Sequence, residues 1–274
     1  MMKNHKIKKE YLMENSAEIE RLELKTDETA LVRQLLWAGL KPGMRVADVG
    51  CGPGKTTSII KKVTGKNGNA VGIDFSQERI DYAKERYGGN GLDFYCRNVF
   101  DDLSDLGNFD FIWSRFFLEY HKKNCFEIIK NLNLLLKPGG VICLADLDYN
   151  CLSHFGLSPK LENTIIGILN HLENYHDFDP YVGRKLYSYV YDLGYQNIDV
   201  MMEPHHLIFG DLNQVDAYNW YKKAMVAGKK SGYSFCEYEG GFDEFLEDYD
   251  RFFTNPRRFT YTPLIAVKGV KPQN

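Results

Sequence analysis

The chain has 274 residues, 44% hydrophobic and 26% charged, which excludes disordered, collagen-like and small disulfide-rich classes and leaves room for one large domain or for one domain plus a smaller cap. Lys and Arg number 34 against 37 Asp and Glu, a formal charge of −3; a protein bound mainly to phosphates would be basic, so nucleic acid is not the expected partner. No run approaches the roughly 18 apolar residues of a membrane span, and the basic, polar start over residues 1–10 lacks the apolar centre of a secretory signal.

In chain order, residues 26–40 read as a helix with Leu31, Leu35 and Ala38 on one face, stopped by Lys41-Pro42-Gly43. A strand over 44–49 and a helix over 55–63 follow, then a strand over 70–74. Ser76 is placed to cap the next helix, which carries Ile80, Ala83 and Tyr87. Strands at 92–96 and 109–114 precede a helix bearing Phe126, Ile129, Leu132 and Leu136. Pro138-Gly139-Gly140 predicts a turn into a fifth strand over 141–147. Leu161, Ile165, Ile168 and Leu172 mark one further helix; Leu186, Tyr189, Val190 and Leu193 mark another, ended by Gly194. A strand over 198–209 and a last one over 260–267 are joined by a long helical excursion at 211–256. Short apolar runs alternating with helical patterns predict an α/β fold with a parallel sheet covered on both faces.

The 6 Cys stand singly, none in Cys-x-x-Cys and none in a Cys/His cluster with zinc spacing. They read as reduced thiols of a cytoplasmic protein without a metal centre, Cys96 and Cys143 lying in buried strands.

The sharpest feature is Val46-Ala-Asp-Val-Gly-Cys-Gly-Pro-Gly-Lys-Thr56, where a strand runs through three glycines into a helix. Glycines there let a ligand approach the backbone, and the helix start offers unpaired N–H groups. A phosphate-binding P-loop would need Gly at position 49, which is Val; a dinucleotide fingerprint would need Gly at 55, which is Lys. Asp48, two residues before Gly50, would repel a pyrophosphate and suits a cationic ligand. Asp74 ends the next strand, about where an acid meets ribose hydroxyls in such sheets.

With Gly72-Ile-Asp-Phe-Ser, Phe109-Asp-Phe-Ile-Trp-Ser-Arg and Leu136-Lys-Pro-Gly-Gly in order, residues 41–147 resemble the class I S-adenosylmethionine-dependent methyltransferases, in particular the small-molecule branch that includes quinone-biosynthesis enzymes. The resemblance implies a Rossmann-like, seven-stranded, mostly parallel sheet with the last strand antiparallel and helical cap insertions. It implies that Gly50, Gly52 and Gly54 form the floor under the methionine part. Asp74 would bind the ribose, Phe75 would pack near the adenine, and Ser114 and Arg115 would line the methionine side. Family members usually carry an acid after the third strand; here Asn98 stands there, followed by Val99, so the adenine contact loses a charge. Residues 1–25 would form a lid, with Tyr11 and Arg21 at the methionine end. Residues 26–149 would be the cofactor-binding core, 150–197 a helical insertion, 198–210 and 260–270 the last core strands, and 211–259 a cap that binds the acceptor.

Chemically, the sulfonium is already activated, so alignment of donor and acceptor is the main requirement and no dedicated catalytic residue is needed. The aromatic, weakly charged insertions favour a small, partly apolar acceptor. A non-catalytic S-adenosylmethionine-binding protein, a protein methyltransferase and a nicotinamide-dependent oxidoreductase remain alternatives. Asp146 and Asp148 are base candidates, with a solvated turn as the preferred reading. Of His205 and His206, at most one faces any site. Lys222-Lys223 and Lys229-Lys230 read as a solvated face, and the aromatic set from Tyr218 to Phe245 as either the cap's own core or a pocket wall.

Overall fold

A computed structural model describes Ile19, Leu22, Glu23 and residues 26–273. Helix α1, Glu28–Ala38, starts where Asp27 Oδ1 accepts the N–H groups of Thr29 and Ala30 at 2.9 and 3.1 Å. It ends two residues earlier than its apolar pattern suggests, because Gly39 turns left-handed at φ 98°.

The core then runs β1 (Arg45–Val49), α2 (Lys55–Thr64), β2 (Asn69–Asp74), α3 (Gln77–Tyr87), β3 (Leu92–Cys96), β4 (Phe109–Arg115), α4 (Cys125–Leu135) and β5 (Leu136–Leu147). Strands β1 and β2 are buried along nearly their whole length, as a parallel sheet covered on both faces requires. Two single-residue readings change. Ser76 occupies the N-cap of α3 with extended backbone, but its side chain makes no capping bond. Pro138-Gly139-Gly140 lies inside β5 as an irregularity, with Phe109 opposite Leu136 and Phe111 opposite Val141. Cys143 is buried in β5, whereas Cys96 at the end of β3 is half-buried; all six cysteines are free thiols.

The second half supplies β6 (His154–Phe155), α5 (Pro159–Tyr175), α6 (Leu186–Asp192), β7 (Gln196–Phe209), α7 (Gln214–Ser231), α8 (Gly241–Thr254) and β8 (Phe259–Val270). The sheet therefore has eight strands, one more than the pattern suggests, because the two-residue β6 is too short to leave a periodic signal. The order is β3-β2-β1-β4-β5-β8, with β7 on the far side of β8 and β6 pairing the start of β8. Strands β1 to β5 are parallel, and β8 is antiparallel to both β5 and β7.

Alternation along the strands divides the interior into two layers. Val46, Phe111 and Trp113 pack with Leu31, Leu35, Ile59 and Ile80 on the face of α1–α3. Ala47, Val49 and Ile112 pack with Ile128, Leu132 and Leu186 on the face of α4 and α6. A third cluster, built by α5, α7 and α8 around Trp220 and Phe245, forms the cap. Among the described residues no helix is long and apolar enough to cross a membrane.

Because the chain steps outward from β1 to β3 and then returns to the other side of β1 for β4, the strand order reverses between β1 and β4. A crevice opens at the carboxyl ends of strands at such a reversal.

Candidate active site

The loop after β1 fills that crevice. The Gly50 and Cys51 N–H groups both donate to the Ile73 carbonyl, holding the loop against β2. Its glycines serve different ends. A side-chain carbon on Gly54 would sit 2.7 Å from Ala83 Cβ and 2.8 Å from Phe94, so Gly54 is a packing glycine beneath the loop. Gly52, at φ 55°, would meet only Leu22 at 3.6 Å and leaves its backbone open to the crevice.

Asp74 holds this loop from the neighbouring strand. Its Oδ2 accepts the Gly52 N–H at 2.8 Å and its Oδ1 the Ser76 N–H at 2.9 Å. Beneath the loop, buried Asp48 accepts the Thr57 hydroxyl at 2.6 Å. Burial pushes the Asp48 carboxyl up to about 7; the Asp74 charge adds to this, while Thr57 and Arg115 oppose it. Burial likewise pulls the Arg115 guanidinium down to about 10, against Glu203, Asp146, Asp27 and Asp48. The guanidinium lies 4.3 Å over the Phe116 ring, and its Nε has no hydrogen-bond partner among the described residues.

Above these groups is a cavity of about 400 Å³. Asp48, Gly50, Gly52, Asp74, Phe75, Asn98, Val99 and Arg115 all line it. Gly54 and Ser114 do not. Ser114 is buried and donates its hydroxyl to the Val49 carbonyl at 3.1 Å, binding β4 to β1 instead of facing a ligand. Tyr11 and Arg21 lie outside the described residues. Asn98 uses its side-chain carbonyl to accept the Phe100 N–H at 3.1 Å, an Asx turn that shapes the loop after β3.

Several lining residues carry no motif in the sequence: Arg79, Phe117, Tyr120, His121, His176 and His205. His205 packs against Phe116 with ring centroids 4.6 Å apart. The register of β7 shifts between Pro204 and His206, so the two histidine rings lie 4.2 Å apart; His205 lines the cavity, while His206 packs 5.1 Å from Trp220 and does not. His121 contacts Phe117 at 4.6 Å. The two base candidates flanking the end of β5 are buried, not solvated. Asp146 accepts the N–H groups of Leu118 and Glu119 at 2.9 and 3.2 Å, and Asp148 is held by Arg184 at 2.8 Å. Neither lines the cavity, so both organise the loops behind it.

Residues 40–188 match a family model described as a methyltransferase domain. The chain belongs to that family. This class I methyltransferase uses S-adenosylmethionine and is an enzyme of methyl transfer. It is 27% identical over 225 residues to juvenile hormone acid O-methyltransferase of Bombyx mori, covering 76% of this chain and 73% of that protein. It is 32% identical over 111 residues to demethylmenaquinone methyltransferase of Staphylococcus aureus, covering 39% of this chain and 44% of the relative. Among solved structures, a Haemonchus contortus phosphoethanolamine N-methyltransferase 2 in complex with S-adenosylhomocysteine matches with TM-score 0.56 at 14% identity, over 94% of this chain and 57% of that one. A Bacillus halodurans protein described as a methyltransferase matches with TM-score 0.55 at 14% identity, over 89% and 99%. The two structures establish the shared fold.

The methyltransferase has a second, smaller chamber of about 110 Å³ beside the first. The two share Leu22, Phe116 and Tyr120. Side chains of α5 (Ile165, Ile168, Leu169, Leu172) and of α8 (Phe245, Tyr249) line one part of its wall. Buried Glu119 sits at this chamber with its Oε2 accepting the Asn150 amide at 2.7 Å. Lys223, expected on a solvated face, lines it from α7. The cap aromatics divide accordingly: Trp220, Phe235 and Tyr238 are the cap's own core, Phe245 serves both core and chamber, and Tyr218 and Tyr221 are exposed.

Two variants separate packing from ligand contact. Gly54→Ala is expected to lower unfolding free energy by about 2 kcal/mol or more, through overpacking and a strained backbone. Gly52→Ala costs about 1 kcal/mol of stability but lowers S-adenosylmethionine affinity about tenfold. Urea unfolding and calorimetric titration of both proteins check this.

Asp48 sets a pH signature. Its folded value of about 7 exceeds the ordinary 3.8, so its contribution to stability is fully present below about pH 4 and is lost as pH rises through about 7. The Asp48→Asn variant therefore gains on the wild type as pH rises across that window, by up to about 4 kcal/mol. Unfolding midpoints compared at pH 5 and pH 8.5 measure it; an unchanged difference contradicts it.

Proposed function

We propose that the large cavity holds S-adenosylmethionine and that the smaller chamber holds a small, partly apolar methyl acceptor. The observation that carries this reading is the shared wall of Leu22, Phe116 and Tyr120 between the two. A donor and an acceptor meeting at that wall are aligned by the protein, and alignment alone supplies several kcal/mol of a displacement barrier, about 7 or more in favourable cases.

The residues present suit the nucleoside. The Asp74 carboxylate stays anchored by two N–H groups and has further lone pairs for a ribose diol. Gly52 leaves room for the amino-acid end, Gly50 lines the cavity where Phe117 packs onto the loop, and Asp48 supplies the opposite charge to the ammonium. Phe75, which is exposed, and Val99 and Asn98 would border the adenine. Arg115 would meet the carboxylate end. When bound, S-adenosylmethionine supplies a methyl group on a sulfonium that leaves as the neutral thioether when an O, N, S or C nucleophile forms the new bond.

The rest of the chain excludes water and selects the acceptor. Residues 150–197 contribute α5 and residues 211–259 contribute α7 and α8 to the chamber wall, which supports an acceptor-binding role for both insertions. Leu22 borders both cavities, the Lys55 ammonium donates to the Glu23 carbonyl, and the Tyr87 hydroxyl donates to the Glu23 carboxylate at 2.8 Å. These contacts support a lid role for the segment 1–25. The S. aureus and B. mori relatives, named for demethylmenaquinone and juvenile hormone acid, support a small-molecule acceptor over a macromolecular one. Six free thiols favour a reducing, cytoplasmic setting.

Calorimetric titration with S-adenosylmethionine, S-adenosylhomocysteine and NAD tests the reading. The first two are expected to bind in the micromolar range and NAD not to bind. Asp74→Ala should lose at least about tenfold in affinity, as expected when hydrogen bonds to a charged group are removed. Affinity for both sulfur nucleosides should rise with pH through about 7, as Asp48 ionises, and Asp48→Asn should flatten that dependence. NAD binding, or no binding by the folded protein, overturns the assignment.

A further inference from the structure

Among the described residues, Lys223 is the one cation that lines the smaller chamber. Its ammonium lies 4.8 Å from the Trp220 ring and 3.9 Å from Cys151 Sγ. No carboxylate of the described residues stands within 4 Å of it, whereas Lys160 pairs with Glu244 and Lys185 with Asp179. A π face and a thiol steady a cation without neutralising it or saturating its three donors.

The polar groups of the chamber form one band. Glu119 accepts from Asn150 at 2.7 Å, Cys151 Sγ stands 3.4 Å from Asn150 Oδ1, and Lys223 closes the row. Much of the remaining lining is apolar, including Ile165, Ile168, Leu172, Phe178 and Phe245. Within the band, Lys223 is the donor-rich member: its ammonium carries three N–H groups and has no carboxylate of the described residues within salt-bridge distance. It lines the smaller chamber from the cap and does not line the large cavity, which suits it to hold a group other than the one that reacts.

Building on the acceptor-chamber reading above, we propose that the acceptor is a compact apolar molecule bearing a carboxylate, and that Lys223 is the residue that selects it. Lys223 acts as an anchor: it fixes one end of the acceptor by a charge-assisted hydrogen bond and lets the apolar body lie against α5 and α8. Neutral and cationic analogues of the same shape gain nothing from it.

The probe is 8-anilinonaphthalene-1-sulfonate fluorescence on the full-length protein, competed by octanoate, octan-1-ol and octylamine, with and without S-adenosylhomocysteine. In the wild type, octanoate is expected to displace the dye at about one-tenth the concentration needed for octan-1-ol, with octylamine weakest. Lys223→Met should abolish the advantage of octanoate, leave octan-1-ol unchanged and leave S-adenosylhomocysteine affinity unchanged; Lys223→Arg should retain most of the advantage. Equal displacement by acid and alcohol, a preference for octylamine, an acid preference that survives in Lys223→Met, or no displacement by octanoate overturns the proposal. Absence of S-adenosylhomocysteine binding would count against the cofactor assignment alone, since the ranking on the nucleoside-free protein still judges Lys223.

Discussion

The carboxylate of Asp74 accepts hydrogen bonds from Gly52 on one side and Ser76 on the other, and so ties the loop after β1 to the start of α3. A charged acceptor makes each of these bonds stronger than a neutral one, about 1.5–3 kcal/mol apiece. The geometry of the large cavity follows from that tie. Gly52 keeps its open face toward the crevice, Asp48 stays buried beneath it, and Arg115 at the end of β4 completes the far side. The parallel strands place these groups at one edge of the sheet because their order reverses between β1 and β4.

Charge in this site is held under tension. Asp48 and Arg115 are both buried enough for their ionised forms to be disfavoured, yet they face the same cavity. A ligand that carries an ammonium at one end and a carboxylate at the other relieves both. On the proposed binding mode, the cost of these two poorly solvated groups is offset when the zwitterionic end of S-adenosylmethionine arrives. The cap solves a separate problem. Its helices bury their own aromatic core around Trp220 and Phe245 and present only one edge, including Lys223, to the chamber.

What the sequence revealed was what local chemistry constrains. The glycines after β1, Asp48 and Asp74 stand within 27 residues of one another, and their spacing alone excluded a P-loop and a dinucleotide fingerprint. The parallel strands were legible because strands covered on both faces are apolar runs. The two-residue β6 and the irregularity inside β5 left no periodic signal. Gly54 and Ser114 read as ligand contacts because they belong to the motif, but three-dimensional packing turned Gly54 onto Ala83 and Ser114 onto Val49. His121 and His205 reached the cavity through tertiary folding, one from the loop after β4 and the other from β7. Lys223 reads as part of a solvated face in sequence because adjacent lysines on a helix differ by about a hundred degrees in direction, and only packing of α7 against α5 decides which turns inward.

The crystal structure of the protein with S-adenosylhomocysteine tests the central claim most directly. The account predicts the ribose hydroxyls within hydrogen-bond reach of Asp74, the amino-acid end over Gly50 and Gly52 between Asp48 and Arg115, and the sulfur facing the wall of Leu22, Phe116 and Tyr120. A nucleoside bound away from Asp74, or with its sulfur turned from that wall, would contradict it.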